Sequence, residues 1–212
     1  MSVFLDSAMP NDLREAAGYG FIAGATTNPV LLAKAGYKDL YAAMVEICTL
    51  LPGTIFYQLT SHTLPEMEAE YHRFREISPN LALKIPCNLT GLQFAARVSH
   101  EISIAMTAIF TPAQAYLASQ AGARYVLPFV NRTTRYTGTG LEVLTSIVDV
   151  IQGSTCEVLA VSLKTPAEVV EVVKAGADHI SITLPLIKEM AESPLTNMAM
   201  AEFDQSLKEM RG

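Results

Sequence analysis

The sequence predicts a single α/β domain built as a (β/α)8 barrel, and three observations carry that expectation. Eight short apolar runs recur along the chain, Ala-rich or amphipathic stretches separate them, and polar residues sit at or near the carboxyl ends of nearly all the runs. With 212 residues, half of them hydrophobic, the chain is long enough to bury one large core, and short beside the ~250 residues usual for such a barrel. A doubly wound open sheet is the competing arrangement of the same alternation.

The strand candidates, in order, are Val3 to Asp6, Phe21 to Thr26, Thr54 to Gln58, Leu81 to Lys84, Ile102 to Thr107, Tyr125 to Phe129, Glu157 to Ser162 and His179 to Thr183. Among the helices, Pro112 to Ala121 closes at Gly122 and Pro166 to Ala175 closes at Gly176. Proline near the first turn and glycine just past the end is the expected asymmetry of a helix. The long connection from Thr27 to Gly53 holds two helices, 30–35 and 40–51. Beyond Thr183 one helix finishes the TIM barrel and an extra C-terminal helix, about 195–211, is left over. Its Met198, Met200, Phe203, Leu207 and Met210 recur at helical intervals. Such a stripe needs a surface to cover, either its own barrel or a neighbouring subunit. No linker or low-complexity segment divides the chain, so 1–212 is expected to be one domain.

Composition narrows the function. A net charge of -6 with dispersed lysines and arginines offers no footprint for nucleic acid. No apolar run reaches the ~18 residues of a membrane span, and the amino terminus lacks a basic stretch followed by a signal-type apolar one, so a soluble cytoplasmic protein with no membrane partner is expected. Cys48, Cys87 and Cys156 are odd in number and scattered, which argues against a disulfide framework or a zinc site. They are expected to be reduced core thiols, and no metal is expected.

One residue demands an explanation. Lys84 is a lone cation in the run Leu81-Ala-Leu-Lys-Ile-Pro86, which otherwise describes a buried strand. A buried ammonium loses hydration, so its pKa falls or a carboxylate compensates it. A neutral amine on a rigid strand is the nucleophile that condenses with a carbonyl to form a Schiff base. The alternative is a lysine whose stem packs apolar neighbours while its head reaches solvent. Active sites of (β/α)8 barrels gather at the carboxyl ends of the strands. Asp6, Thr26, Gln58, Lys84, Thr107, Ser162 and Thr183 lie at or near such ends, and Asn28 and Arg132 just beyond two of them.

Several motifs then fall into one order and spacing. They are Asp6 after Val-Phe-Leu, Gly24-Ala-Thr-Thr-Asn-Pro29, Leu83-Lys-Ile-Pro86, and Thr107 before Ala-Ile-Phe-Thr-Pro-Ala-Gln114. Pro128-Phe-Val-Asn-Arg132, Ala160-Val-Ser-Leu-Lys-Thr-Pro166 and Ser181-Ile-Thr-Leu-Pro185 follow. Together they resemble the small transaldolase and fructose-6-phosphate aldolase family over essentially the whole chain.

The resemblance implies a class I aldolase that needs no cofactor. Lys84 would form the Schiff base with a ketose phosphate such as fructose 6-phosphate, and Asp6 would move the proton of the C4 hydroxyl. Asn28, supported by Thr26 or Thr27, matches the residues that hold the dihydroxyacetone hydroxyls. Gln58 and Thr107 match the pair that positions a catalytic water. Arg132, Ser162 and Lys164 match the group that binds the terminal phosphate. Each has a plainer alternative: a turn cap for Asp6, a helix opener for Asn28, a solvated lysine for Lys164. The stretch from Arg132 to Gly140 also reads as a mobile surface loop. Gln58 resembles the aldolase branch, where the transaldolase branch has glutamate. Phe129, at the donor pocket, resembles the transaldolase branch, where the aldolase branch has tyrosine. Leu127, two residues earlier on the same face, would narrow that pocket.

A true transaldolase, and a weakly active sugar-phosphate binding protein, are the competing functions. Of the tyrosines that stand near the site in sequence, Tyr57 should face away, beside Gln58 on its strand, which leaves Tyr136. Family resemblance further implies a ring-shaped homo-oligomer, a pentamer or decamer.

Overall fold

A computed structural model describes residues 1–211. The chain closes into a barrel of eight parallel strands that pair in sequence order. The strands are β1 Ser2–Asp6, β2 Ile22–Thr26, β3 Thr54–Gln58, β4 Leu81–Pro86, β5 Ile104–Ile109, β6 Tyr125–Pro128, β7 Glu157–Ala160 and β8 His179–Ile182. A closed ladder of β8 onto β1, with Ser2 to Leu5 paired with His179 to Ile182, excludes the open doubly wound sheet.

Helices return the chain between strands: α1 Pro10–Gly18, α2 Pro29–Lys34, α3 Leu40–Leu50, α4 Leu64–Phe74, α5 Leu89–Val98 and α6 Pro112–Gln120. They continue with α7 Val130–Thr137, α8 Gly140–Ile151, α9 Pro166–Lys174, α10 Leu184–Ala191 and α11 Pro194–Arg211. Five of the eleven begin where the sequence places a capping side chain. Asn28, Asp39, Asn88, Thr111 and Thr165 each accept a hydrogen bond from the backbone of the turn they open, satisfying donors that the helix leaves without partners.

Strand alternation divides the core in two. Leu5, Ile55, Leu83, Ile85, Met106 and Val126 point outward into the large layer shared with the helices. Phe4, Phe56, Ala82, Ala105, Leu127, Leu159 and Val161 fill the barrel itself. Phe4, Phe56, Tyr125 and His179 close a ring of edge-to-face contacts, with centroids 5.3 to 5.8 Å apart. This floor seals the barrel below the strand ends. Leu127 stands on the inner face with Phe129, as the alternation requires.

Backbone approach is closest between β2 and β3. Gly24 has φ +146, and a Cβ there would lie 1.9 Å from the Thr54 carbonyl oxygen. Only glycine meets both conditions.

Three helices exceed one per strand: α2, α7 and α11. α2 and α7 begin directly beyond β2 and β6, so each adds a short wall at the carboxyl rim. α7 corrects the expectation of a mobile loop from Arg132 to Gly140. Its threonines bond back to carbonyls one turn earlier, Thr133 to Phe129 at 2.8 Å, Thr134 to Val130 at 3.1 Å and Thr137 to Thr133 at 2.9 Å, and Val130 and Thr133 are buried beneath it. α11 has no buried residue; its Met200, Phe203, Leu207 and Met210 are exposed. The stripe therefore does not dock on its own barrel. Among the described residues, no helix is long and apolar enough to cross a membrane.

Candidate active site

The carboxyl rim presents polar side chains directly above the apolar floor. Asp6, Gln58, Lys84 and Thr107 each lie two residues beyond a floor residue, Phe4, Phe56, Ala82 and Ala105 respectively, and so point into the barrel. Register places Asp6 beside Thr26 and Gln58 beside Lys84. Ala82 and Ala105 are the small members of the floor, and they lie under the lysine and Thr107.

Lys84 is only 4% exposed. Its Nζ donates to the Thr27 carbonyl at 3.2 Å, and among the described residues no carboxylate comes close enough to pair with it. The stem-and-snorkel alternative is therefore excluded. Burial pulls its pKa down from 10.5 to about 8; the charge of Asp6 opposes that fall and the charge of Arg132 adds to it. An amine in this state carries a substantial neutral fraction near physiological pH.

Asp6 caps no helix, since the residue before α1 is Met9. Its Oδ1 instead accepts from Thr26 Oγ1 at 2.9 Å, and Thr26 Oγ1 lies 2.6 Å from Ser181 Oγ. A hydroxyl has one proton. When Thr26 gives its proton to Asp6, Ser181 must be the donor in the second contact. The chain thus runs from β8 through β2 to β1, with Thr26 and Ser181 both buried. Ser181, rather than Thr183, is the β8 hydroxyl bonded into the site, a pairing across 155 residues that no local pattern reveals.

Thr107 carries the opposite feature. It is 2% exposed, and its Oγ1 has no hydrogen-bond partner. A buried hydroxyl without a partner costs about 1–3 kcal/mol. Asn28 is half-buried and does open α2, its Oδ1 accepting from Leu31 N at 2.9 Å. The plainer reading thus holds for its oxygen, while its side-chain amide nitrogen has no hydrogen-bond partner among the described residues.

At the mouth, Phe129 meets Phe110 edge to face at 5.6 Å, and the Arg132 guanidinium stands 4.6 Å above the Phe129 ring. Nothing local in the sequence marks Phe110, beyond β5, as facing β6. Ser162, just past β7, adopts φ +65, a left-handed backbone rare for serine. β6 and β7 are held together here by Val130 N to Val161 O and Val161 N to Pro128 O, both 3.1 Å. Lys164 is exposed, in keeping with a solvated lysine. Tyr57 donates to Glu70 on the outer side of β3 and Tyr136 is 73% exposed. Neither supplies the hydroxyl that Phe129 lacks. A groove of about 590 Å³ between α3 and α4, lined by Lys38, Tyr41 and Arg73, contains none of the strand-end residues. Cys48, Cys87 and Cys156 are free thiols, though only Cys156 is fully buried.

A (β/α)8 barrel with a desolvated lysine and an aspartate on its inner face, and an arginine at its mouth, has the architecture of a barrel enzyme. The family model described as Transaldolase/Fructose-6-phosphate aldolase matches residues 3–211; the chain belongs to that family and is an enzyme of it. It is 34% identical to a probable transaldolase of Symbiobacterium thermophilum over 206 residues, covering 96% of this chain and 95% of that one. It is 35% identical to probable transaldolases of Caldicellulosiruptor saccharolyticus and Caulobacter vibrioides, again over 96% of the chain and 95% and 94% of theirs. Solved structures add the fold alone. A mandelate oxidase aligns with TM-score 0.65 at 14% identity over 86% of this chain and 64% of its own. An inosine 5' monophosphate dehydrogenase from Legionella pneumophila aligns with TM-score 0.63 at 13% identity, over 88% of this chain and 58% of its own.

Proposed function

We propose that the protein is a class I aldolase that cleaves or forms the C3–C4 bond of ketose phosphates such as fructose 6-phosphate, with a dihydroxyacetone unit as donor. The observation that carries this is Lys84, a fully desolvated amine whose pKa lies near 8, on the inner face of the barrel beside Gln58. Its neutral form attacks the C2 carbonyl, water leaves, and the resulting iminium draws electrons from the C3–C4 bond. Asp6 takes the C4 hydroxyl proton as that bond breaks, and the aldose phosphate departs, leaving an enamine on Lys84. Protonation at C3 and hydrolysis then release dihydroxyacetone.

Gln58 and Thr107 hold the water for these last steps; the unpartnered hydroxyl of Thr107 supports that role. Thr26 and Asn28 hold the donor hydroxyls, with Phe129 as the apolar wall beside them. Arg132, Ser162 and Lys164 take the phosphate, a guanidinium fork suiting its geometry. The enzyme works in the cytoplasm on small sugar phosphates, as a homo-oligomer whose α11 stripe packs on a neighbour.

Phe129 and the names of the relatives favour a second reading, transfer of the dihydroxyacetone unit to an aldose phosphate. With no hydroxyl on Phe129 to supply a proton, the enamine waits for an aldehyde. Borohydride reduction in the presence of fructose 6-phosphate should add mass at Lys84 and not in K84M; an unmodified Lys84 refutes the mechanism. Release of glyceraldehyde 3-phosphate without an acceptor identifies the aldolase, and strict dependence on erythrose 4-phosphate identifies the transferase.

A further inference from the structure

Two segments supply the anion end of the site: the start of α7, with Arg132, and the connection from β7 to α9, with Ser162 and Lys164. α7 is short and polar, and Ser162 is kept in a left-handed backbone conformation that is strained for a residue with a Cβ. A strained residue persists only where its surroundings over-determine it.

Glu168 bridges the two segments. It is half-buried in the first turn of α9. Its Oε1 accepts from Asn131 Nδ2 at 2.5 Å, and its Oε2 accepts from the Lys164 backbone N–H at 2.7 Å. Its own N–H donates to Thr165 Oγ1 at 3.1 Å, which anchors the carboxylate to the helix start. One side chain thereby joins the residue before Arg132 to the residue two beyond Ser162. A carboxylate near an anion site is unfavourable by charge alone, so its presence there calls for a compensating role, and both oxygens are spent on the two segments.

We propose that Glu168 is a positioning residue that locks α7 and the β7–α9 connection into one preformed phosphate cradle. The proposal rests on the reading of Arg132 and Ser162 as phosphate ligands. Glu168 touches no substrate; it acts through Asn131 and Lys164.

The test is steady-state kinetics in the synthetic direction, with dihydroxyacetone as donor and either glyceraldehyde 3-phosphate or unphosphorylated glyceraldehyde as acceptor. Glu168→Ala should raise KM for the phosphorylated aldehyde by roughly tenfold, with kcat within about twofold, and leave glyceraldehyde kinetics unchanged. Glu168→Gln, which keeps an oxygen for the Lys164 N–H and loses the acceptor for Asn131, should recover about half of that loss. Asn131→Ala, which cuts only the α7 arm, should give an intermediate KM and guards against a Glu168→Ala chain that fails to fold. The proposal is overturned if Glu168→Ala keeps the wild-type KM for the phosphorylated aldehyde, or if KM rises equally for both aldehydes. Arg132→Ala separates the two levels. If it too leaves the phosphorylated KM unchanged, the phosphate reading falls and the proposal with it; if it raises that KM while Glu168→Ala does not, only the clamp is refuted.

Discussion

A lysine buried to 4% exposure with a single backbone hydrogen bond is a costly residue for a fold to retain. The sign of that cost follows from linkage. The folded pKa, about 8, lies below the 10.5 of a free lysine. Between these values the unfolded chain binds the proton and the folded chain does not, so stability rises with pH across this window, and below about pH 8 the full penalty applies. The shift corresponds to about 3 kcal/mol.

Lys84→Met should therefore raise the melting temperature at pH 7 by several degrees, and the advantage over wild type should shrink toward pH 10.5. Thermal melts at the two pH values check it; a methionine variant less stable than wild type at pH 7 refutes the picture. Catalysis should show the same group. kcat/KM should climb through a midpoint near pH 8 as the amine deprotonates. Arg132→Ala removes a nearby positive charge and should move that midpoint upward. A midpoint that stays fixed or falls would mean that Arg132 is not coupled to Lys84. Lys84 was legible in the sequence because a charge inside an apolar strand violates a local rule. Ser181 was not, because its partner Thr26 is adjacent only once the barrel closes.

Among the elements, β2 depends most on a single residue. Gly24→Ala would place a methyl 1.9 Å from the Thr54 carbonyl oxygen at a φ of +146, so β2 must shift, carrying Thr26 and its bond to Asp6 with it. The expected loss is about 3 kcal/mol or more, read as a lower denaturation midpoint with an unchanged slope in urea. A loss under 1 kcal/mol would mean that the close approach relaxes freely. The strands were readable to within two residues at either end, since parallel strands covered on both faces are apolar throughout. α7 was not. Its sequence, Val130-Asn-Arg-Thr-Thr-Arg-Tyr-Thr137, lacks an apolar period, and side-chain bonds to its own carbonyls, with Val130 packed on the core, hold it helical instead.

For the whole molecule, α11 is the feature left unsatisfied. Eighteen residues of helix with no buried position are not held by their own barrel, and a surface bearing Phe203 at 69% and Met210 at 84% exposure gains by covering itself. Light scattering should find an oligomer at micromolar concentration, and Phe203→Glu with Leu207→Glu should reduce its size while far-ultraviolet circular dichroism shows the barrel intact. A wild-type chain that remains monomeric would refute the role given to the helix. The stripe itself was plain from its spacing. That it turns away from its own barrel was not, because spacing defines a face and says nothing of what the face meets.

The sequence by itself determined the alternation of strands and helices, the inward lysine and the order of polar residues along the rim, all consequences of periodicity and of local rules kept or broken. Only the tertiary structure decided which of those residues meet. The Ser181–Thr26–Asp6 chain, the Phe110–Phe129 pair and the Glu168 clamp join positions 155, 20, 19 and 37 residues apart. Such contacts exist because barrel closure and strand register bring distant segments to one rim, and neither is written in any short stretch of chain.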